Sequence, residues 1–361
     1  MTTMIRRPTP EVVARQGVDE LTLSTLPPLV TARASEASTF PPVSVFMAVR
    51  DEGRHLRASV SRIFDQDYPG DLEVVLAVAP SRDDTWAVAT ALAEIEPRLR
   101  VVSNPAGTTP HGLNTAMASA RYDHLVRADG HAFLPPGYLR DVVALLESTN
   151  AANVGGRMQP LGEGPVSQAI ALTMSSRVGI GGAAFHVGGR PGPQPTVYLG
   201  AFRREAVVAV GGYDEYFLRA QDWELNHRLR KAGHTVWFDP SIGVGYRPRT
   251  RWRDFARQQF RTGGWRRRVI ERHRGTASVR YLAPPIVVLA VLLGMVAALH
   301  APLLWDWMVA GLVVPAAYLV AMVVLGLAEA RRQPWRVRWR VPIALSLMHM
   351  ALGSGFLVRS R

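Results

Sequence analysis

Asp129-Gly130-His131 sets a carboxylate and an imidazole two residues apart, directly after the apolar run His124-Leu125-Val126-Arg127-Ala128. In an extended turn, positions i and i+2 point to one side, so Asp129 and His131 can hold a divalent cation, Mn²⁺ or Mg²⁺. An imidazole beside a carboxylate suits Mn²⁺ somewhat better than Mg²⁺. A cation there would bridge the phosphates of a diphosphate and neutralise charge as that group departs. Taken alone, the tripeptide reads first as a turn, because Asp-Gly is among the commonest turn dipeptides.

A second carboxylate stands in Gln221-Asp222-Trp223-Glu224-Leu225, which opens a helical pattern. Asp222 suits a helix N-terminal cap and equally a general base that takes a proton from an attacking hydroxyl. Glu224, two residues along the helix, faces elsewhere and is expected to be structural. A third stretch, Gln258-Gln259-Phe260-Arg261-Thr262-Gly263-Gly264-Trp265-Arg266, mixes amides, guanidinium groups and an indole. Gln259 and Arg261 could grip a diphosphate, with Trp265 as a wall against an acceptor. The same stretch also fits a basic amphipathic helix lying on lipid.

The elements that must position these groups alternate. β-branched runs at Val43–Val49, Leu72–Val78, Leu99–Ser103 and His124–Ala128 read as strands. Helical patterns fall between them, at about 55–67, from Ser81–Asp84 to about Glu96, and over Gly112–Ala120. Such alternation predicts a parallel, doubly wound α/β sheet of nucleotide-binding type, with ligands beyond the carboxyl ends of the strands. The loops after Val49, Val78 and Ala128 are therefore where chemistry belongs. Further strands are expected at Ala152–Gly156, Val197–Phe202 and Thr235–Asp239, and a helix from Asp222 to Ala232. Gly179–Pro195, rich in glycine and proline, reads as a mobile loop over the site.

The hydrophobic fraction of 48% is ordinary, but most long apolar runs fall after Tyr281. Tyr281–Leu299 and Leu303–Leu327 are long enough to cross a bilayer, while Val341–Val358 would cross or lie at the interface. Lys+Arg of 42 against Asp+Glu of 29 gives a net charge of +13, almost all of it from arginine. One arginine cluster runs from Arg247 to Arg274, up to the first span; another, Arg331 to Arg340, separates the second from the third. Basic residues hugging spans place both clusters on the cytoplasmic side and suit anionic lipid. No zinc-ligand spacing or aromatic RNA-binding pattern is visible, so no nucleic-acid partner is expected. With no cysteine, thiolate metal sites and cysteine nucleophiles are excluded. Residues 1–40 are rich in Thr, Ser, Pro and Ala without an apolar core, which predicts a poorly ordered leader and no signal peptide.

Taken in order, the motifs carry more than any one of them. Val43-Ser-Val-Phe-Met-Ala-Val-Arg-Asp-Glu52, Ser81-Arg-Asp-Asp-Thr85, Gly112-Leu-Asn114 and Arg127-Ala-Asp-Gly-His-Ala132 come first. Arg203-Arg-Glu-Ala-Val-Val-Ala-Val-Gly-Gly-Tyr-Asp214, Gln221–Leu225, Arg228–Gly233 and the Gln-rich stretch follow. From about Val43 to Arg268 the chain resembles glycosyltransferase family 2, inverting enzymes of GT-A fold, and within it the chain-extending transferases of succinoglycan-type exopolysaccharide synthesis. The resemblance implies a nucleotide-sugar donor, a lipid-linked or saccharide acceptor, a divalent cation and a multi-pass cytoplasmic-membrane location with the catalytic part in the cytoplasm. It implies Asp222 as catalytic base. Arg50, Asp51, Glu52, Asp83, Asn114, Arg127 and Asp129 would contact donor, and Asp129 and His131 the metal. Gln259, Arg261 and Trp265 would meet acceptor or diphosphate.

Two departures matter. The family's second strand usually ends in an aspartate pair that reads the base, and Val78-Ala79-Pro80 stands there instead. Base recognition would then fall to Asp51 and Glu52, or to Asp83 and Asp84. Gln221 replaces the usual glutamate beside the base. These changes motivate an alternative, a catalytically inactive sugar-nucleotide-binding subunit of a polysaccharide assembly complex. The expected organisation is a leader over 1–40, a GT-A domain over 41–250, a basic juxtamembrane segment over 251–280 and two to three membrane helices over 281–361.

Overall fold

A computed structural model describes residues 40–130, 132–300 and 306–358. The alternating pattern folds as β1 (Val43–Val49), α1 (Gly53–Phe64), β2 (Leu72–Val78), α2 (Thr85–Ile95), β3 (Leu99–Ser103), α3 (Thr109–Ser119) and β4 (His124–Arg127). β2 is buried along its whole length, and β1 nearly so, as unbroken β-branched runs covered by helices on both faces must be. The next elements are α4 (Tyr138–Thr149), β5 (Asn153–Pro160), α5 (Pro165–Met174), α6 (Arg177–Ile180), α7 (Ala184–Val187) and β6 (Gly192–Pro193). Then come β7 (Tyr198–Arg203), α8 (Arg204–Ala209), α9 (Gln221–Lys231) and β8 (Val236–Tyr246).

All eight strands form one sheet in the order β3-β2-β1-β4-β7-β5-β8-β6. The first four are parallel, as their helical crossovers require. β7 reverses direction and pairs antiparallel with both β4 and β5, so the sheet is mixed. This reversal brings the start of α9 back to the carboxyl end of β4.

α10 (Trp252–Arg272) leads into α11 (Val279–His300), α12 (Val313–Glu329), the short α13 (Trp335–Arg338) and α14 (Val341–Val358). Three segments, Val279–His300, Val309–Glu329 and Trp335–Val358, are long and apolar enough to cross a membrane. α11 and α12 pack as an antiparallel hairpin in which Gly294 and Gly311 let the backbones touch. α14 sits differently. Near its start Pro342 lies against Gly326, at the end of α12; further on, Gly353 lies against Pro284, at the start of α11. From Gly326 α14 packs back along α12, with Leu345 beside Met322 and the His349 ring 6.4 Å from that of Tyr318, before it reaches α11. Its other side is buried against the catalytic domain, through Val341 and Leu345 beside Ala169 and through Met348 beside Ile170 and Phe255.

Candidate active site

β4 delivers Arg127 to the sheet's carboxyl edge with only 3% of its surface exposed. Its guanidinium is the hub of the site. Nε and Nη2 donate to Asp129 Oδ1 at 3.2 and 3.0 Å, and Nη1 donates to Asp222 Oδ1. Burial opposes the charge, but the Asp129 carboxylate more than compensates and holds Arg127 above the usual arginine range. Among the described residues, the second oxygen of Asp222 has no partner, which leaves it open to substrate.

Asp222 owes its position to the first turn of α9. Ala220, the residue before that helix, takes a left-handed conformation (φ 61°) that costs a non-glycine residue about 1 kcal/mol. Further along, Glu224 is fully buried, pairs with Arg228 at 2.6 Å and meets His273 Nε2 at 3.1 Å. It clamps α9 to the end of α10, the structural part expected of it.

Asp129 and Asp222 line one cleft of about 470 Å³, together with Glu52, Gly130, Arg50 and Arg219. The α10 residues Thr262, Trp265 and Arg266 close its far wall. Glu52 packs against Gly130, where a side chain would come 3.2 Å from Glu52 Cγ. Asp129 and Glu52 thus share one rim. A donor set of one or two carboxylates completed by substrate phosphates suits Mg²⁺ or Mn²⁺, so the residues present fit a cation. His131 lies outside the described residues, and among those described no three His, Asp or Glu side chains cluster as a self-sufficient metal site.

A second compartment of about 410 Å³ continues from the cleft over the ends of β1 and β2. Its polar lining is Asn104, Thr108, Thr109, Arg50, Arg219, Arg261 and Arg268, with no carboxylate. Here the structure redirects several expectations. Asp51 turns away to Arg82, whose backbone N–H and guanidinium hold its carboxyl below the usual range. Asp83 accepts from the Thr85 hydroxyl and the Gly53 N–H, tying α1 to α2, and is likewise held low. Asn114 is spent on Tyr213, donating to its carbonyl at 2.8 Å and accepting from its N–H at 2.8 Å. None of these three side chains lines either compartment. Short loops draw such polar groups into backbone capping before any ligand arrives.

On α10 the helical phase sorts the candidates. Arg261, Trp265 and Arg268 face the second compartment, and Thr262 and Arg266 the cleft. Gln259, 4% exposed, stands one turn before Gly263 on the helix's buried side and lines neither. Trp265 packs against Phe217, with ring centroids 6.3 Å apart. Gly263 meets the Leu352 carbonyl of α14, and Gly355 of α14 meets the Phe260 carbonyl, so the two glycines that stretch this motif are where α14 docks. Gly179–Pro195 does not cover the donor cleft. It folds as α6 beside α14, with the Val178 carbonyl 2.8 Å from His349 Nε2, α7 on the sheet against β5 and β8, and β6 as the sheet's edge strand. Thr109, Arg219, Thr262, Arg266 and Arg268 were not foreseen; the three- and four-residue spacing along α10 was the signal for the last three.

Comparison with known proteins agrees with this geometry. Residues 20–357 match glycosyl transferase family 21. The chain is 29% identical over 311 residues to the succinoglycan biosynthesis protein ExoA of Rhizobium meliloti (strain 1021), covering 85% of this chain and 91% of that one. It is 23% identical over 328 residues to a dolichyl N-acetyl-alpha-D-glucosaminyl phosphate 3-beta-D-2,3-diacetamido-2,3-dideoxy-beta-D-glucuronosyltransferase of Methanococcus voltae, covering 87% and 95%. Among solved structures, the mannosyltransferase PcManGT of Pyrobaculum calidifontis, determined with GDP-Man and Mn²⁺, superposes with a TM-score of 0.55 at 22% identity. That likeness spans 85% of this chain and 86% of the mannosyltransferase, and gives the fold as GT-A-like. The chain is a glycosyltransferase and belongs to glycosyl transferase family 21.

Proposed function

We propose that this protein transfers a sugar, with inversion, from a nucleotide-sugar donor to a lipid-linked saccharide at the cytoplasmic face of the inner membrane, in exopolysaccharide or cell-envelope glycan synthesis. The observation that carries the reading is the joining of Asp129 and Asp222, 93 residues apart in the chain, by one buried guanidinium in a sugar-sized cleft. The same intact arrangement speaks against an inactive binding subunit. The relatives support the wider assignment: one is named for succinoglycan biosynthesis and one for transfer to a dolichyl-phosphate-linked sugar.

In this reading the nucleoside lies in the compartment over β1 and β2, and its diphosphate faces Arg50, Arg219, Arg261 and Arg268. These cations stabilise the charge that grows on the diphosphate as the glycosidic bond breaks. Asp129, with Glu52 on the same rim, would hold Mn²⁺ or Mg²⁺, which when bound supplies further charge neutralisation to the departing phosphates. Asp222 takes the proton of the acceptor hydroxyl through its second oxygen as that hydroxyl attacks the anomeric carbon. Arg127 fixes the base and the donor-side carboxylate relative to each other. α11 and α12 cross the bilayer, and α14 packs between them and the catalytic part, with the arginine clusters on the cytoplasmic side.

Asp222→Asn tests the role of the base. The variant is expected to bind nucleoside diphosphate normally and lose transfer by at least about a hundredfold, the scale of general-base catalysis. Undiminished turnover would remove Asp222 from that role. Activity that survives EDTA would remove the cation from Asp129.

A further inference from the structure

A third cavity, of about 240 Å³, lies on the opposite side of the α10 wall from the nucleoside compartment. It opens between α6–α7, α10 and the first turns of α11, and it shares Thr262 and Arg266 with the catalytic cleft. Its charged and polar lining includes Arg177, Arg266, Arg280, His186, His349 and Thr196; its apolar lining includes Ile180, Phe185, Pro284, Val287 and Leu352. The first turns of α11, with His349 and Leu352 of α14, form one side of it, next to the arginines that precede the first apolar span.

The polar groups there are incomplete. Arg266 is half-buried, and its Nη1, which is out of reach of solvent, has no hydrogen-bond partner among the described residues. Its guanidinium stacks 4.8 Å from the Tyr281 ring centroid, and Arg280 stacks 4.6 Å from the same ring. Among the described residues no carboxylate pairs with Arg177, Arg266 or Arg280. Burial holds Arg266 below the usual arginine range, with the neighbouring Arg280 charge acting the same way. His186 Nδ1 is buried and unpartnered too, and burial brings that imidazole down to about 3, so it is neutral near pH 7. Buried, unpaired cations are costly unless an anion completes them.

We infer that this cavity receives the phosphate or diphosphate of the lipid-linked acceptor, with its aliphatic chain laid along α11 and α14. This rests on the transferase reading above and names the acceptor's anchoring group. A lipid phosphate is favoured over the donor's diphosphate on three grounds. The donor compartment has its own arginines across α10, one wall here is formed by the apolar helices α11 and α14, and the lining combines an anion site with an apolar side. Arg266 anchors the headgroup while Thr262, one turn away, faces the sugar that follows.

Binding of farnesyl phosphate, farnesol and inorganic diphosphate to the full chain in phosphatidylcholine nanodiscs tests this without requiring transfer. Farnesyl phosphate is expected to saturate one site and bind about tenfold or more tightly than farnesol, the worth of one or two charge-assisted hydrogen bonds. Arg266→Gln and Arg280→Gln should each weaken it about tenfold, and Arg280→Gln, which lies outside the catalytic cleft, should leave nucleoside diphosphate affinity within about twofold. Arg266→Gln should not lower the thermal midpoint, since it removes a buried charge without a counter-ion. Equal binding of farnesol, no binding of farnesyl phosphate, or loss of nucleoside diphosphate binding in Arg266→Gln with farnesyl phosphate unaffected would each overturn the assignment. Continued transfer to a soluble saccharide in any of those cases would leave the catalytic reading standing and sink only the lipid-phosphate site.

Discussion

Gly263→Ala should act on catalysis through the membrane. Gly263 faces the Leu352 carbonyl of α14 so closely that a methyl group would sit about 1 Å inside the shortest contact such a carbon tolerates. The obstructing atom is backbone within a helix, so no side chain can swing aside; α10 and α14 must part by about that distance. Overpacking of this kind costs roughly 1–3 kcal/mol. The larger effect is on the site, because α10 carries Thr262, Trp265 and Arg266 into the catalytic cleft. A displacement near 1 Å in positioning groups can cost about a hundredfold in rate. The assay compares nucleoside diphosphate release with acceptor present, in nanodiscs, for wild type, Gly263→Ala and Gly164→Ala. Gly164 has open space around it and an extended φ of −133°, so alanine there should be silent. Gly263→Ala with wild-type turnover and an unchanged melting midpoint would show that α14 does not set the position of the α10 wall.

Two further outcomes follow from the charges. Arg127→Met should leave Asp129 and Asp222 facing each other without the cation between them; transfer should fall by at least about a hundredfold and stability by roughly 1–3 kcal/mol. Normal turnover with an unshifted thermal midpoint would show that the guanidinium is not the hub. His186 titrates near 3 when folded and near 6.5 when unfolded, so below about pH 6.5 the unfolded chain binds the extra proton. Its contribution is complete above pH 6.5 and falls away toward pH 3, with a slope of up to about 1.4 kcal/mol per pH unit. His186→Gln should flatten that acid limb in thermal melts, and an identical pH profile would refute the assignment.

The first four strands and their helices were legible because buried parallel strands are written as β-branched runs closed by turn residues, as in Val43–Val49 and Leu72–Val78. The reversal at β7 was not, since Tyr198–Arg203 carries no local mark of its direction; pairing with β4 and β5 decides it. The ordered motifs pointed to Asp129 and Asp222, but not to Arg127 as the atom-level link between them. Asp51 and Asp83, in short loops, and Asn114, on α3, stand outside both compartments because nearby backbone groups and charges satisfy them first. Gly179–Pro195 looked like a lid because glycine and proline mark irregular chain without saying what it packs on. The glycines in 258–266 looked like a distortion of a motif, and are instead the contact that seats a helix 89 residues further along, between Gly263 and Leu352.

One wall of α10 separates two chambers, with Thr262 and Arg266 only a single turn, about 5.4 Å, apart along the axis. Both residues line both chambers, so under the lipid-phosphate reading a change in that one turn would reach the tether and the reacting sugar together.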